Sequence, residues 1–444
     1  MKTHPSPLTL HHSCSVVRIF VVLSLFMLSL ASQAQDPREE IRQNPKLSGN
    51  NFLAYPGPQK QFTPAPKGRQ PFYISHYGRH GSRYQTRMLD YTYAYDLLHK
   101  ADDEGALTPL GCDVLQRLKV IYEEADERHG DITPLGLQQH RDIMRRMVER
   151  FPQVFRNTTI VDARSTGVSR CILSMASALQ ELTRLRPKLS ITFDASVRDM
   201  QYLNFVDRDL LKQGQSLECK KALDDYCAPR QDFSQQVNAL FSDSAFVTRY
   251  VNGERLAYYL FRLASGLQNT EEGQNITLYD IFTPDELYAE WQMDNAFWFL
   301  GYGFNDMNGG QQPFTQRNLL RKMVEQADSC LHLDHPSVNL RFGHETMVLP
   351  LVCLMGINGF DQKINDPEQL EQRGWVSYRV MPMACNVQMV FYRKSKDDDD
   401  ILFKVLLNED EATLPITTDV APYYHWADAR RFFLERLDSF REAE

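Results

Sequence analysis

The chain has 444 residues, 43% of them hydrophobic and 24% charged, with 49 Lys and Arg against 57 Asp and Glu for a formal charge of −8. These proportions are those of a globular protein of two or three domains and exclude a disordered or fibrous one. The acidic balance leaves no global basic field for a nucleic acid or an anionic membrane, so a polyanionic ligand has to be held in a local basic pocket.

In chain order, residues 1–15 carry Lys2 and no acid, Arg18 follows, residues 19–30 are almost wholly apolar, and Ser32-Gln33-Ala34 offers small residues for a signal peptidase. This pattern predicts a signal peptide over residues 1–34 and an exported protein, periplasmic or secreted. The apolar run of about a dozen residues is shorter than the roughly 20 that span a bilayer, and no later stretch approaches that length, so no stable membrane insertion is expected. Cys14 precedes the apolar run, which argues against a lipid anchor. Residues 35–70 are rich in Pro, Gly, Gln and Asn without a helical or strand period, and read as an extended N-terminal arm.

Residues 71–76 form a short β-prone run that leads into Arg79-His80-Gly81-Ser82-Arg83. Residues 90–98, 113–128 and 135–151 have the period of amphipathic helices, the last preceded by Thr133-Pro134, a capping residue with proline at the first helical position. Residues 159–163 are a second short strand, followed by the polar stretch from Arg164 to Arg170 and a helix over 171–185, and residues 190–194 are a third. From about residue 199 to 299 the sequence changes to helical segments, including 233–249 and 256–267, joined by loops that carry Lys212, Lys220, Lys221 and Arg230. Beyond it, 316–331 is helical, 338–342 is a strand ending on His344-Glu345-Thr346, and 347–355 is an apolar helix. Residues 378–380, 387–393 and 401–407 read as strands, with the acidic run 397–400 a solvated hairpin turn. A helix over 427–440 closes the chain.

This alternation predicts an α/β sheet domain flanked by helices, made of residues 71–198 and 300–444, with an inserted all-α domain over 199–299. Seven cysteines follow the signal region, and none has the spacing of a metal or redox motif. Cys219 and Cys227 are the one candidate bridge, and small buried apolar residues are the expectation for the others.

Three polar clusters carry the chemistry: Arg79 to Arg83, Arg164 to Arg170, and His344-Glu345. Each follows a strand, and open α/β sheets bind ligands beyond the carboxyl ends of their strands, so the three are expected to converge. Their contents suit phosphomonoester hydrolysis. Guanidinium forks match phosphate oxygens, a histidine can accept the phosphoryl group, and a carboxylic acid can protonate the leaving alkoxide and then take a proton from water. With that charge stabilised by arginine and histidine, neither a metal nor another cofactor is called for.

Arg79-His80-Gly81-Ser82-Arg83 resembles the R-H-G-x-R signature of the histidine phosphatases, and His344-Glu345-Thr346 resembles the C-terminal His-acid pair of their acid phosphatase and phytase branch. Thr133 to Gly136, Arg164-Ser165-Thr166 with Arg170, Pro382 to Asn386 and Leu406 to Glu409 are similar to segments of the multiple inositol polyphosphate phosphatases, which dephosphorylate phytate. The resemblance implies an α/β domain with an α insertion and a phosphohistidine mechanism. His80 would be the phosphoryl acceptor, Glu345 the proton donor, and Arg79, Arg83, Arg170 and His344 the phosphate pocket. The sequence departs from both relatives at one place: Glu345 stands where acid phosphatases have Asp and the inositol polyphosphate enzymes Ala, and Thr346 stands at the latter's Glu. The expected activity is metal-independent hydrolysis of an inositol polyphosphate such as phytate. The alternatives are a broad-specificity acid phosphatase and a phosphate-binding protein without turnover, and the presence of both His80 and Glu345 argues against the last.

Overall fold

The central strand is made by Gln70–Arg79 (β1), whose alternating residues serve two cores: Tyr73 and Tyr77 enter one, and Ile74 and His76 face the other. A strand buried on both faces has to be covered by helices on both sides, and that requirement organises the structure. The computed structural model describes residues 36–441, so the predicted signal peptide lies outside the described residues.

The other strands are Ile160–Ser165 (β2), Ser190–Asp194 (β3), Ser337–Gly343 (β4), Asn386–Arg393 (β5), Leu402–Leu407 (β6), Asp410–Ala412 (β7) and Tyr424–His425 (β8). They form one mixed sheet in the order β3-β2-β4-β1-β5-β6-β7, with β8 paired to β6. β3, β2, β4 and β1 run parallel, and β5 turns antiparallel to β1.

Numbering helices of eleven or more residues, α1 is Leu89–Asp103, α2 Pro109–Ala125, α3 Pro134–Arg150, α4 Ser169–Leu185, α5 Leu217–Cys227, α6 Gly253–Leu267, α7 Pro284–Tyr302, α8 Arg317–Leu331, α9 Glu345–Met355 and α10 Trp426–Asp438. α3 and α4 cover one face of the sheet, through Met144, Met147, Met175 and Leu182. α8, α9 and α10 cover the other, through Leu319, Val348 and Phe433.

From β3 to β4 the described chain forms helices and turns and no strand of the sheet. α6 of this stretch shares a separate core with α1 and α2, which therefore leave the sheet and join the helical layer. α7 belongs to both cores: Leu287 and Trp291 pack with α1, α2 and α6, whereas Ala296, Phe299 and Leu300 pack with the sheet's helices. Trp291 and Phe299 are fully buried, and truncating such an aromatic costs about 3–5 kcal/mol, so α7 ties the helical layer to the sheet. Among the described residues no helix is long and apolar enough to cross a membrane.

The structure differs from the sequence reading in four places. The expected arm is without helix or strand only over residues 53–69: before it Pro37–Gln43 is an α-helix capped by Asp36, and Pro45–Phe52 a 3-10 helix capped by Asn44, with Ile41 and residues 48–52 buried. Residues 378–380 are not a strand, since Ser377–Arg379 is a 3-10 turn whose Ser377 N–H is taken by the Asn295 side chain on α7. The helix expected over 233–249 is broken into Ser234–Leu240 and Ser244–Tyr250. There Phe241 pairs as an isolated bridge with Leu107, and Asp243 caps the second helix. Finally, Cys219 and Cys227 are free thiols. They sit eight residues apart on α5, about 12 Å along its axis and beyond disulfide reach.

Candidate active site

Ladder register brings the three polar clusters together. Arg79 is opposite Gly343 in the parallel β1–β4 pair, and Ser165 is opposite Phe342 in β2–β4. His80, His344 and the loop from Thr166 to Arg170 therefore leave the sheet at the same end. The backbone holds them there: His80 N–H donates to the Gly343 carbonyl at 2.9 Å, Arg79 N–H to Cys385 at 2.8 Å, and Thr166 N–H to Phe342 at 3.0 Å.

The loop after β1 is pinned from the side by α3, as the Thr133-Pro134 cap positions it. A Cβ on Gly81 would come within 2.3 Å of the Gly136 carbonyl oxygen, and one on Gly136 within 2.2 Å of the Ser82 carbonyl oxygen, so both positions require glycine. The Gln139 side chain accepts from Ser82 N–H at 2.9 Å and donates to Ser82 Oγ at 2.8 Å, and Ser174 Oγ accepts from Gly81 N–H at 3.1 Å.

His80 is 1% exposed. Its Nδ1 lies 2.9 Å from the Gly81 carbonyl oxygen, which can only accept, so the ring proton sits on Nδ1 and Nε2 keeps its lone pair. Burial, followed by the charges of Arg79, Arg83 and Arg170, holds the imidazole well below its usual pKa and therefore neutral. His344 packs edge-on against it with ring centroids 5.7 Å apart, and is pushed down to about 4 by burial and the same arginines, against the pull of Glu345. Thr166 Oγ1 lies 3.4 Å from His344 Nε2.

Glu345 opens α9, two residues earlier than the helix was expected to begin. Its Oε2 is 2.9 Å from Arg79 Nε and 3.9 Å from His80 Nε2. Burial would raise its pKa, but Arg79, Arg83 and His344 outweigh that and hold the carboxyl down at about 2, so it is ionised at rest. Arg79 is fully buried, and its Nη1 donates to the carbonyls of Asn51 at 2.5 Å and Met381 at 3.0 Å. Its Nη2, together with Arg83 Nε and Arg170 Nε, has no hydrogen-bond acceptor among the described residues. Buried guanidinium N–H groups left without acceptors form a site for an anion's oxygens.

All six residues expected at the site are therefore at the same end of the sheet. His80, His344 and Glu345 also present ligand atoms within 4.8 Å of one another, the spacing a metal ion would use. The surrounding Arg79, Arg83 and Arg170 make the field there positive, which suits an anion rather than a cation. His76, next to the motif, is a buried sheet residue pushed down to about 3 by burial and by His140, and is neutral.

Sequence reasoning missed Asn51 and Phe52. Asn51 Nδ2 donates to Glu345 Oε1 at 3.4 Å, and the Phe52 ring lies 5.4 Å from the Arg83 guanidinium and 5.1 Å from that of Arg262. Both fall in the aperiodic segment before β1, which carries no local signal of function. Beyond Phe52 a cavity of about 680 Å³ opens between α6 and α7, where Arg255 and Arg262 meet Glu254, Glu290 and Asp294 among aromatic side chains.

Residues 78–408 match the family model of the histidine phosphatase superfamily, branch 2. The chain is 24% identical over 406 residues to multiple inositol polyphosphate phosphatase 1 of Homo sapiens, covering 82% of this chain and 79% of that one. Its fold is similar to that of the Bifidobacterium longum multiple inositol polyphosphate phosphatase in complex with inositol hexasulfate, with a TM-score of 0.67 at 17% identity over 87% of this chain and 97% of that one. It is also similar to the phytase from D. castellii, with a TM-score of 0.69 at 12% identity over 89% and 85%. The chain belongs to branch 2 of the histidine phosphatase superfamily, and is a histidine-type phosphatase.

Proposed function

From that membership and from the site's geometry, we propose that this phosphatase is an exported, metal-independent phosphomonoesterase that hydrolyses inositol polyphosphates such as phytate through a phosphohistidine on His80. The observation that carries the reading is the neutral His80 with a free Nε2, set among three guanidiniums that have unsatisfied N–H groups. The names of the human and Bifidobacterium longum relatives support the substrate class. The signal-like sequence of residues 1–34 supports export.

In the first half-reaction His80 Nε2 attacks phosphorus, the ester P–O bond breaks, and its electron pair leaves with the alkoxide oxygen, which takes a proton from Glu345. Arg79, Arg83, Arg170 and His344 stabilise the charge spread over the three equatorial oxygens. Glu345 rests ionised, so its proton arrives with the substrate: a monoanionic phosphomonoester carries one, and phosphate charge set against Arg79 and Arg83 raises the carboxyl's proton affinity. In the second half-reaction water attacks phosphorus, the N–P bond breaks with its electron pair returning to His80 Nε2, and the water proton taken by Glu345 leaves with the phosphate, so that Glu345 is again ionised.

A broad-specificity acid phosphatase is the second reading, favoured by the acids and aromatics of the neighbouring cavity, which do not suit a polyanion alone. Phosphate release from phytate and from glucose 1-phosphate at equal concentration decides between them. The inositol polyphosphate reading expects kcat/KM for phytate to exceed that for the sugar phosphate by at least about tenfold, or about 1.4 kcal/mol of transition-state stabilisation. Equal values overturn it.

A further inference from the structure

Resting on that mechanism, the structure assigns to Asn51 the role of positioning residue for the proton donor, holding the Glu345 carboxyl while Arg79 is shared with the substrate phosphate. Asn51 precedes the 78–408 stretch that matches the family.

Glu345 has two side-chain tethers at rest, Arg79 Nε on Oε2 and Asn51 Nδ2 on Oε1. The first is shared during turnover, because the same guanidinium presents its free Nη2 to the phosphate and phosphate charge draws it away from the carboxyl. Asn51 is the side chain whose hold on the carboxyl the phosphate does not share. An amide suits this task. Its NH2 group donates to a carboxylate, and after rotation its oxygen accepts from a carboxylic acid, so it serves both protonation states that Glu345 passes through. A cationic partner would favour only the ionised one. The Asn51 carbonyl also accepts from Arg79 Nη1, so one residue spaces donor and phosphate ligand against each other.

The surroundings hold Asn51 in this place. It is 8% exposed, and the preceding Asn50 is fully buried with φ of 50° and ψ of −111°, a conformation that L residues adopt only when held. Asn50 is held by a hydrogen bond from its Nδ2 to Asp294 on α7 and by one from Ser377 Oγ to its Oδ1 at 2.8 Å. On the other side, the Phe52 carbonyl accepts from Asn269 Nδ2 at 2.7 Å, and Asn269 Oδ1 accepts from Ser82 Oγ at 2.6 Å. The segment is thereby fastened to the helical layer and to the catalytic loop at once. The charged and titratable groups that face Glu345 are Arg79 and His80 at the end of β1, Arg83, His344, Tyr77, Tyr302 on α7, Cys171 on α4 and Cys385.

The test compares full-length wild type, Asn51→Ala and the isosteric Asn51→Asp on an inositol phosphate and on 4-nitrophenyl phosphate, whose leaving group departs without a proton. In Asn51→Ala the ratio of kcat on the inositol ester to kcat on the aryl ester should fall about tenfold, the lower part of the range for general acid catalysis. In Asn51→Asp a second carboxylate beside Glu345 opposes its ionisation, and the basic limb of the kcat profile on the inositol ester should move up by about one pH unit. Should Asn51→Ala fail to fold, the shift of that limb in Asn51→Asp decides alone. Equal slowing on both esters with an unmoved limb overturns the positioning role. A wild type that hydrolyses neither ester removes the phosphatase mechanism and this inference with it.

Discussion

The sheet end and the cavity beside it treat charge in opposite ways. At the sheet end Arg79, Arg83 and Arg170 surround a single acid, Glu345, and the imidazoles are kept neutral. In the cavity between α6 and α7, Arg255 and Arg262 are balanced by Glu254, Glu290 and Asp294, and burial with like-charge repulsion pushes the Glu290 carboxyl up to about 8. On the proposed function the sheet end takes one phosphoryl group whatever it is attached to. The cavity is then expected to read the remainder of the substrate, and Phe52 adjoins both regions, with its ring 5.4 Å from the Arg83 guanidinium and 5.1 Å from that of Arg262.

If the chemistry resides wholly at the sheet end, the largest effect is that of His80→Ala, which should cut turnover at least about a thousandfold on every ester, or about 4 kcal/mol. Residual activity above that level in a steady-state assay would place the nucleophile elsewhere. Next comes Glu345→Gln, expected to slow inositol phosphates by about 10² or more and an aryl phosphate far less, since general acid catalysis matters where the leaving oxygen needs a proton. Equal losses on both esters would make Glu345 a residue that holds the histidines rather than a donor.

A smaller contrast concerns pH and stability. His76 and His140, pushed down to about 3 and 4 chiefly by burial, bind protons in the unfolded chain near pH 6.5 but not in the folded one. Their contribution is present above pH 6.5 and lost as pH falls toward those values, at up to about 1.4 kcal/mol per pH unit for each ring. Glu290, raised to about 8, has the opposite sign: its contribution is present below pH 4.5 and lost as pH rises through 8. Hydrogen exchange of β1 and α7, corrected for intrinsic rates, should therefore show protection rising in the strand between about pH 5 and 6.5 and level above it, and falling in the helix between about pH 5 and 8. Parallel responses would contradict the difference between the regions. The smallest effect expected is that of Arg255→Ala in the cavity, a rise of a few fold in KM for an inositol polyphosphate with little change on an aryl ester. An equal change on both would take the cavity out of substrate selection.

The two regions also differ in how far they were legible in the sequence. At the sheet end the signals are local: Arg79 to Arg83 and His344-Glu345 each follow a strand, and Thr133-Pro134 marks the start of α3. Parallel register then brings them together. The helical layer depends on contacts between distant residues. The helix expected over 233–249 breaks because Phe241 pairs with Leu107, and Ser377–Arg379 turns because Asn295 on α7 takes a backbone donor. Asn51 had no signal of its own, since its partners Arg79 and Glu345 are far along the chain and its own segment shows no period.

The central claim is that the sheet end transfers a phosphoryl group to His80. It is tested most directly by mixing the enzyme with substrate labelled in the phosphoryl group, quenching in denaturant at alkaline pH, where phosphohistidine survives, and mapping the label by mass spectrometry. The expected result is an acid-labile phosphoryl group on His80, more abundant when its hydrolysis limits turnover and absent in His80→Ala. A turning-over enzyme that carries no label on His80, or that carries it on another residue, would contradict the mechanism.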